Sequence, residues 1–178
     1  MLLVQLVLPA AAAAAQQRVV DVPGLGAHSC NALTDGTTEA LGLRYAASAA
    51  GANRFRPPQP PTRPPAGGGV TDATSLGAVC MQNLMGAQLP MGEDCLFLNV
   101  WAPPGAEKLP VAFWVHGGGF TQGSGDLYNG TALSRNGLVV VTINCECLRV
   151  SADNGPWPGY PLLSECRCQP CARPSSPV

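Results

Sequence analysis

Charge is what this sequence has least of. Of 178 residues, 10 are Lys or Arg and 11 are Asp or Glu, giving a formal net charge of −1 with no run of like charges. Nothing therefore points to nucleic acid or to a strongly acidic or basic partner. Aromatic residues are sparse as well, while 18 prolines and 21 glycines make the chain rich in loops. Long apolar runs are missing: the apolar start, Met1 to Ala15, is too short to cross a bilayer core of ~30 Å, so no membrane span is expected. Cysteine, by contrast, is plentiful. Eight cysteines suit a secreted chain better than a cytosolic one. The length fits about one domain with a modest core.

Met1 to Ala15 reads as a secretory signal peptide, with Leu2, Leu3, Val4, Leu6, Val7 and Leu8 ahead of Pro9 and an alanine run. Ala13 and Ala15 fit an A-x-A cleavage site, although no basic residue stands near Met1. The alternative is a disordered alanine-rich start. Arg18 to Val22 forms a first strand, closed by Pro23-Gly24, and His28 and Cys30 fall in a polar loop, with His28 an ordinary surface histidine. Leu41, Leu43 and Tyr45 alternate with Gly42 and Arg44 as a strand. Arg56 to Gly69 reads as an irregular proline- and glycine-rich loop. Leu96, Leu98 and Val100 take one face of a strand, with Phe97, Asn99 and Trp101 on the other.

The stretch that organises the rest is Val-Ala-Phe-Trp-Val-His-Gly-Gly-Gly-Phe, Val111 to Phe120. An unbroken apolar run of this kind predicts a strand buried on both faces, as in a parallel sheet. The glycines after it allow backbone conformations closed to other residues, and can aim N–H groups at a developing negative charge. A plain glycine turn would have the same composition. Thr131 to Asn136 predicts a short helix with Gly137 as its C-cap, and Val139 to Ile143 a second buried strand. Strand, crossover and strand together predict a βαβ unit.

Several short motifs occur in one order. They are Arg54-Phe55-Arg56-Pro57-Pro58, Asp72-Ala73-Thr74, Glu93-Asp94-Cys95-Leu96, the His116-Gly117-Gly118-Gly119 loop, Gly123-Ser124-Gly125 and Val139 to Asn144. Taken together they resemble the type-B carboxylesterase family, which includes cholinesterases, fungal lipases and the non-catalytic neuroligins. The resemblance runs from about Thr37 to Asn144. It implies an α/β fold, specifically the N-terminal part of an α/β-hydrolase sheet, as a partial domain over 18–144. It also implies hydrolysis of small-molecule carboxylic esters through an acyl-serine, with no metal or diffusible cofactor.

Carried onto this sequence, Gly118 and Gly119 give their N–H groups to the substrate's carbonyl oxygen. Gly117 and His116 support the loop, and His116 is not the catalytic base. Cys80 and Cys95 correspond to the family's first disulfide, where closing a loop of ~15 residues restricts the unfolded chain by about 3 kcal/mol in the entropic account. Asn129-Gly130-Thr131 is a glycosylation sequon, expected on a surface loop.

The nucleophile has no counterpart. G-x-S-x-G occurs nowhere, and Ser124 has glycines adjacent rather than two residues away. In these hydrolases Ser, Asp or Glu, and His all follow the oxyanion loop. No catalytic residue is therefore assigned, and this chain alone is expected to be inactive. Two readings follow: a truncated secreted carboxylesterase, or a non-catalytic secreted interaction protein on the same fold.

From Cys145 to Val178 the motifs stop, and Cys145, Cys147, Cys166, Cys168 and Cys171 crowd among prolines. A zinc site lacks the paired C-x2-C spacing that such a reading needs. A small disulfide knot is a second option. The preferred reading is an unrelated, disordered tail from alternative splicing, a frameshift or a mistaken gene model.

Overall fold

The computed structural model describes residues 16–62, 68–82, 89–119 and 121–146. The signal-peptide reading of Met1 to Ala15 and the tail from Cys147 onward lie outside these residues.

Turn chemistry starts the fold. Strand β1 (Gln16–Val22) ends where the Leu25 N–H donates to the Val22 carbonyl at 2.9 Å and Gly24 takes φ +86°. Proline at the second position and glycine at the third are the residues that a type II turn requires. Strand β2 (Gly26–Ala32) then pairs antiparallel along all of β1. A second tight turn, with Gly36 at φ +84°, leads into β3 (Thr38–Arg44). In it the Asp35 carboxylate accepts the Thr37 N–H at 3.0 Å and an Arg135 Nε–H at 2.5 Å. These bonds, the Thr37 one foremost, hold the Asp35 carboxyl down at about 2.

His28 and Cys30 belong to β2, which corrects their expected place in a loop. Both are buried, at 5% and 1% exposure, and the His28 Nδ1–H donates to the Gly26 carbonyl at 2.9 Å. Burial follows from pairing on both sides. β2 lies between β1 and a shared edge made by β3 and the parallel strand β4 (Thr71–Ala73).

β3 carries a bulge between Ala40 and Leu43. At the bulge Gly42 has φ +66°, and an added Cβ would come 2.6 Å from the Ser75 carbonyl oxygen. The expected alternation of Leu41, Leu43 and Tyr45 is thereby interrupted. Leu43 is buried, Leu41 is half-buried, and Tyr45 stands just past the strand's end.

The short strands β5 (Val79–Cys80) and β6 (Met91–Gly92) pair parallel and lead to the central strand β7 (Phe97–Ala102). β8 (Val111–Val115) and β9 (Val139–Ile143) complete a seven-stranded mixed sheet ordered β1-β2-β3-β7-β9-β8, with β4 beside β2. Both faces of β7 are used. Leu98 and Val100 pack on Cys30, Ala40, Leu43 and Ala73, while Trp101 on the other face is 2% exposed.

β8 and β9 run parallel, as a βαβ unit requires. Their crossover holds a 3-10 turn at Gly125–Leu127 and the helix α1 (Thr131–Ser134). Backbone hydrogen bonds continue the turn through Asn136, and Gly137 closes it at φ +78°. Gly130 opens the helix flat against Trp101, where an added Cβ would sit 2.5 Å from the indole.

β8 departs from its expected burial. Val111, Phe113, Trp114 and Val115 are 60%, 49%, 47% and 46% exposed. The strand lies at the sheet's edge, and its one strand partner among the described residues is β9. A continuous apolar run predicts what a strand needs to have covered, and here the described residues leave about half of it open, with Tyr128 packed on the Trp114 ring at 5.2 Å between centroids. An uncovered apolar edge invites association with other chains. The polypeptide should therefore elute as self-associated species with a broad melt in chromatography with light scattering and thermal denaturation. A soluble monomer with a sharp cooperative melt would contradict this.

Candidate active site

β8 delivers the chain directly into the glycine loop. His116, its first residue, is 7% exposed. The His116 Nδ1–H donates to the Gly117 carbonyl at 3.0 Å, and Nε2 lies 3.7 Å from Cys145 Sγ. Gly118 follows at φ +140° and Gly119 at φ +62°. The Gly118 carbonyl accepts the Thr121 N–H at 3.1 Å, the Gln122 N–H at 3.3 Å and the Thr121 hydroxyl at 3.1 Å. A Cβ on Gly118 would overlap the Gln122 carbonyl, so only glycine fits there. Among the described residues, neither the Gly118 nor the Gly119 N–H donates to a backbone carbonyl. Two successive amides are thus open to an acceptor outside the loop.

The loop's far end is held from two sides. Gln82 Nε2 donates to the Gly123 carbonyl at 2.7 Å and to the Cys80 carbonyl at 3.0 Å, and Gln82 Oε1 accepts the Gly123 N–H. Next in the chain, Ser124 is fully buried; its hydroxyl donates to Asn144 Oδ1 at 2.9 Å and accepts the Asp126 N–H at 3.0 Å. Such a hydroxyl caps a turn and cannot serve as a nucleophile. The Gly125 N–H also donates to Asn144 Oδ1, at 2.9 Å. Asn144 Nδ2 donates to the Ala78 carbonyl and to Asp126 Oδ2, each at 3.3 Å. Asn99 Nδ2 donates to the other Asp126 oxygen at 3.0 Å, so a buried polar knot underlies the loop's exit.

The Tyr45 hydroxyl donates to the Asn144 carbonyl at 2.7 Å. Burial, followed by the Glu146 charge, pushes this phenol far above its ordinary pKa, which keeps it a donor.

Cys80 and Cys95 are joined by a disulfide. The Glu93 to Leu96 segment around it is pinned by Arg44, whose guanidinium meets both Asp94 oxygens at 2.6 and 2.8 Å. That contact holds the Asp94 carboxyl below its ordinary pKa. Asn129 is exposed, its Oδ1 accepting the Thr131 N–H at 2.9 Å. Of the cysteines in the zinc reading, only Cys145 lies within the described residues, and among those residues no group of side chains could hold a metal.

His116, Gly117, Gly118 and Gly119 thus form one loop, and the Cys80–Cys95 region reaches it through Gln82. Asn129 lies apart from it. Sequence reasoning missed Gln82, Asp126 and the side-chain role of Asn144. No periodic pattern marks them, and the only available signals were Gln82's place two residues after Cys80 and Asn144's place at the end of β9.

The family model described as Carboxylesterase family matches residues 26–145, beginning upstream of Thr37, where the motifs become readable by eye. The chain is 42% identical over 119 residues to the cocaine esterase of Oryctolagus cuniculus. It is 44% identical over 112 residues to the fumonisin B1 esterase of Sphingopyxis macrogoltabida. Each match takes 58% of this chain but only 22% and 20% of those proteins, so the chain spans about a fifth of their length. Among solved structures, a PNB esterase superposes with TM-score 0.66 at 33% identity, over 74% of this chain and 28% of the other. A Geobacillus stearothermophilus carboxylesterase gives 0.62 at 41% identity, over 72% and 26%. Over the matched part, the sheet is that of α/β-hydrolase esterases. No helix among the described residues is long and apolar enough to cross a membrane.

Proposed function

We propose, from the premise that this chain belongs to the carboxylesterase family, that it carries the oxyanion-binding part of a secreted carboxylic ester hydrolase. The observation that carries this reading is the pair of open amides at Gly118 and Gly119, set directly after β8. Attack on an ester carbonyl places negative charge on its oxygen. Fixed N–H donors at that point stabilise the transition state, and removing one donor typically costs about 2.7–4 kcal/mol. His116 acts on the loop through the Gly117 carbonyl, not on the substrate.

The chemistry needs a serine to form the acyl intermediate, a base to activate it and a third donor after it. These 178 residues hold no G-x-S-x-G, and Ser124 is committed to its turn. The polypeptide by itself is therefore inactive. Its Cys80–Cys95 disulfide supports a secretory route, and exposed Asn129 is an acceptor for an N-glycan on that route.

The test gives the purified 178-residue chain a short-chain nitrophenyl ester and a fluorophosphonate probe. The expected result is no hydrolysis above background and no labelled serine. Stoichiometric labelling that disappears when Gly119 is replaced by a bulky residue would overturn the reading. Genomic sequence downstream of the Asn144 codon tests the positive half. An open frame containing G-x-S-x-G supports the esterase, whereas a frame with that serine replaced favours a non-catalytic interaction protein.

A further inference from the structure

We propose that Gln82 is a positioning residue for the oxyanion loop, tying its far end to the disulfide-closed segment. Beyond the His116 bond to the Gly117 carbonyl, the described residues brace the loop at the Gly118 carbonyl, bound by Thr121 and Gln122, and that brace moves with whatever holds Gly123. Gly123 is held by a single side chain through both its backbone groups. Gln82 accepts its N–H and donates to its carbonyl, and the second Nε2 hydrogen goes to the Cys80 carbonyl. One amide thereby copies the paired hydrogen bonds that a neighbouring strand would make. Among side chains at neutral pH, only an amide has a donor and an acceptor set side by side for this.

The clamp transmits because the parts touch without slack. Gly123 sits at φ +126°, and a Cβ there would overlap the His116 ring and the Gly117 carbonyl. Gly123 is therefore pressed against the residues that precede Gly118. Immediately before it, the Gln122 carbonyl fills the space a Gly118 side chain would need. Displacing Gly123 displaces Gln122, and with it the surface that sets the backbone at Gly118. At the other end, Gln82 stands two residues from Cys80, which is buried at 4% exposure, bonded to Cys95 and paired through β5 with β6. The loop's geometry is thus referred to the disulfide through one amide.

This proposal rests on the oxyanion reading for its meaning, but its test involves no ester chemistry. Backbone hydrogen exchange is measured by mass spectrometry on the full oxidised chain, with fragmentation that resolves Gly123 and the β7 and β9 amides. Gln82→Met keeps the side-chain length and removes all three hydrogen bonds. Gly123 exchange should then rise about ten-fold, the loss of one net hydrogen bond, while β7 and β9 keep their protection. Gln82→Glu keeps an acceptor, but when ionised it turns a carboxylate on the Gly123 and Cys80 carbonyls that the amide had donated to, and that repulsion drives the side chain off Gly123. Its Gly123 protection, compared with wild type at each pH, should recover as pH falls through the ordinary glutamate range near ~4.3, where the acid regains an O–H.

A purely structural role would loosen β7 and β9 alongside Gly123 and show no such recovery. Unchanged Gly123 exchange in both variants overturns the clamp. So does a loss spread equally over the sheet. If Gln82→Met does not fold, the pH dependence of Gln82→Glu decides alone, and its absence overturns the proposal. Either failure leaves the oxyanion reading standing, and a labelled serine in the ester assay leaves the clamp standing.

Discussion

Replacing Asn144 by alanine should destabilise the sheet by about 3–5 kcal/mol, the upper end of what single substitutions do. The side chain is 2% exposed and makes four hydrogen bonds. Its removal strands the buried Ser124 hydroxyl and Gly125 N–H without their acceptor, at about 1–3 kcal/mol for each buried group. Ala78 and Asp126 lose a donor as well. Neighbouring groups cannot close over the gap, because a Cβ on Gly125 would already sit 2.7 Å from the Ile143 carbonyl oxygen. Asn144→Asp should do no better, since it keeps the acceptor but faces Asp126 with a second carboxylate. Urea denaturation followed by tryptophan fluorescence, at one protein concentration, reads the shift. A loss under about 1 kcal/mol would mean the knot is dispensable.

Trp101→Ala should be as damaging, at about 3–5 kcal/mol for a large buried aromatic. The indole is 2% exposed, lies under Gly130, and its Nε1–H donates to Glu39 at 2.8 Å. Trp101→Phe separates the two contributions. It retains most of the packing and drops the hydrogen bond, and should lose markedly less than alanine does. Equal losses for Phe and Ala in the same denaturation would assign the effect to the Glu39 contact, which Asn31 also shares at 3.0 Å. Gly130→Ala tests the contact from the other side, because its methyl group has nowhere to go.

These two sites illustrate what the sequence revealed and what it did not. Trp101 falls on one face of an alternating strand, and that period was readable. The glycine loop, the parallel pair β8 and β9 and the crossover between them announce themselves through apolar runs bounded by glycines. The pairing of Cys80 with Cys95 came from resemblance, and the disulfide is present.

β2 was not legible. Gly26-Ala27-His28-Ser29-Cys30 has no β-branched residue, and it is a strand because β1, β3 and β4 pair with it. Tertiary pairing there overrides local preference. The exposure of β8 was not legible either, since an apolar pattern states a need for cover without saying what supplies it. Gln82 and Asn144 were hidden for a third reason. A side chain that satisfies backbone groups far along the chain leaves no period, and Gln82 and Gly123 stand 41 residues apart.

The order of strands in space also sets a clock on synthesis. β9 lies between β7 and β8, yet it is made after both. Until Ile143 has emerged, the outer edge of β7 and both edges of β8 have no partner from the described chain. At ~5–20 residues per second, the residues between Val115 and Ile143 take about 1–6 s to add. Hydrophobic collapse takes microseconds, so for that interval two apolar strands wait in the open. The nascent chain is then most in need of a chaperone, and a translational pause between these residues lengthens the exposure, whereas a pause before Phe97 does not.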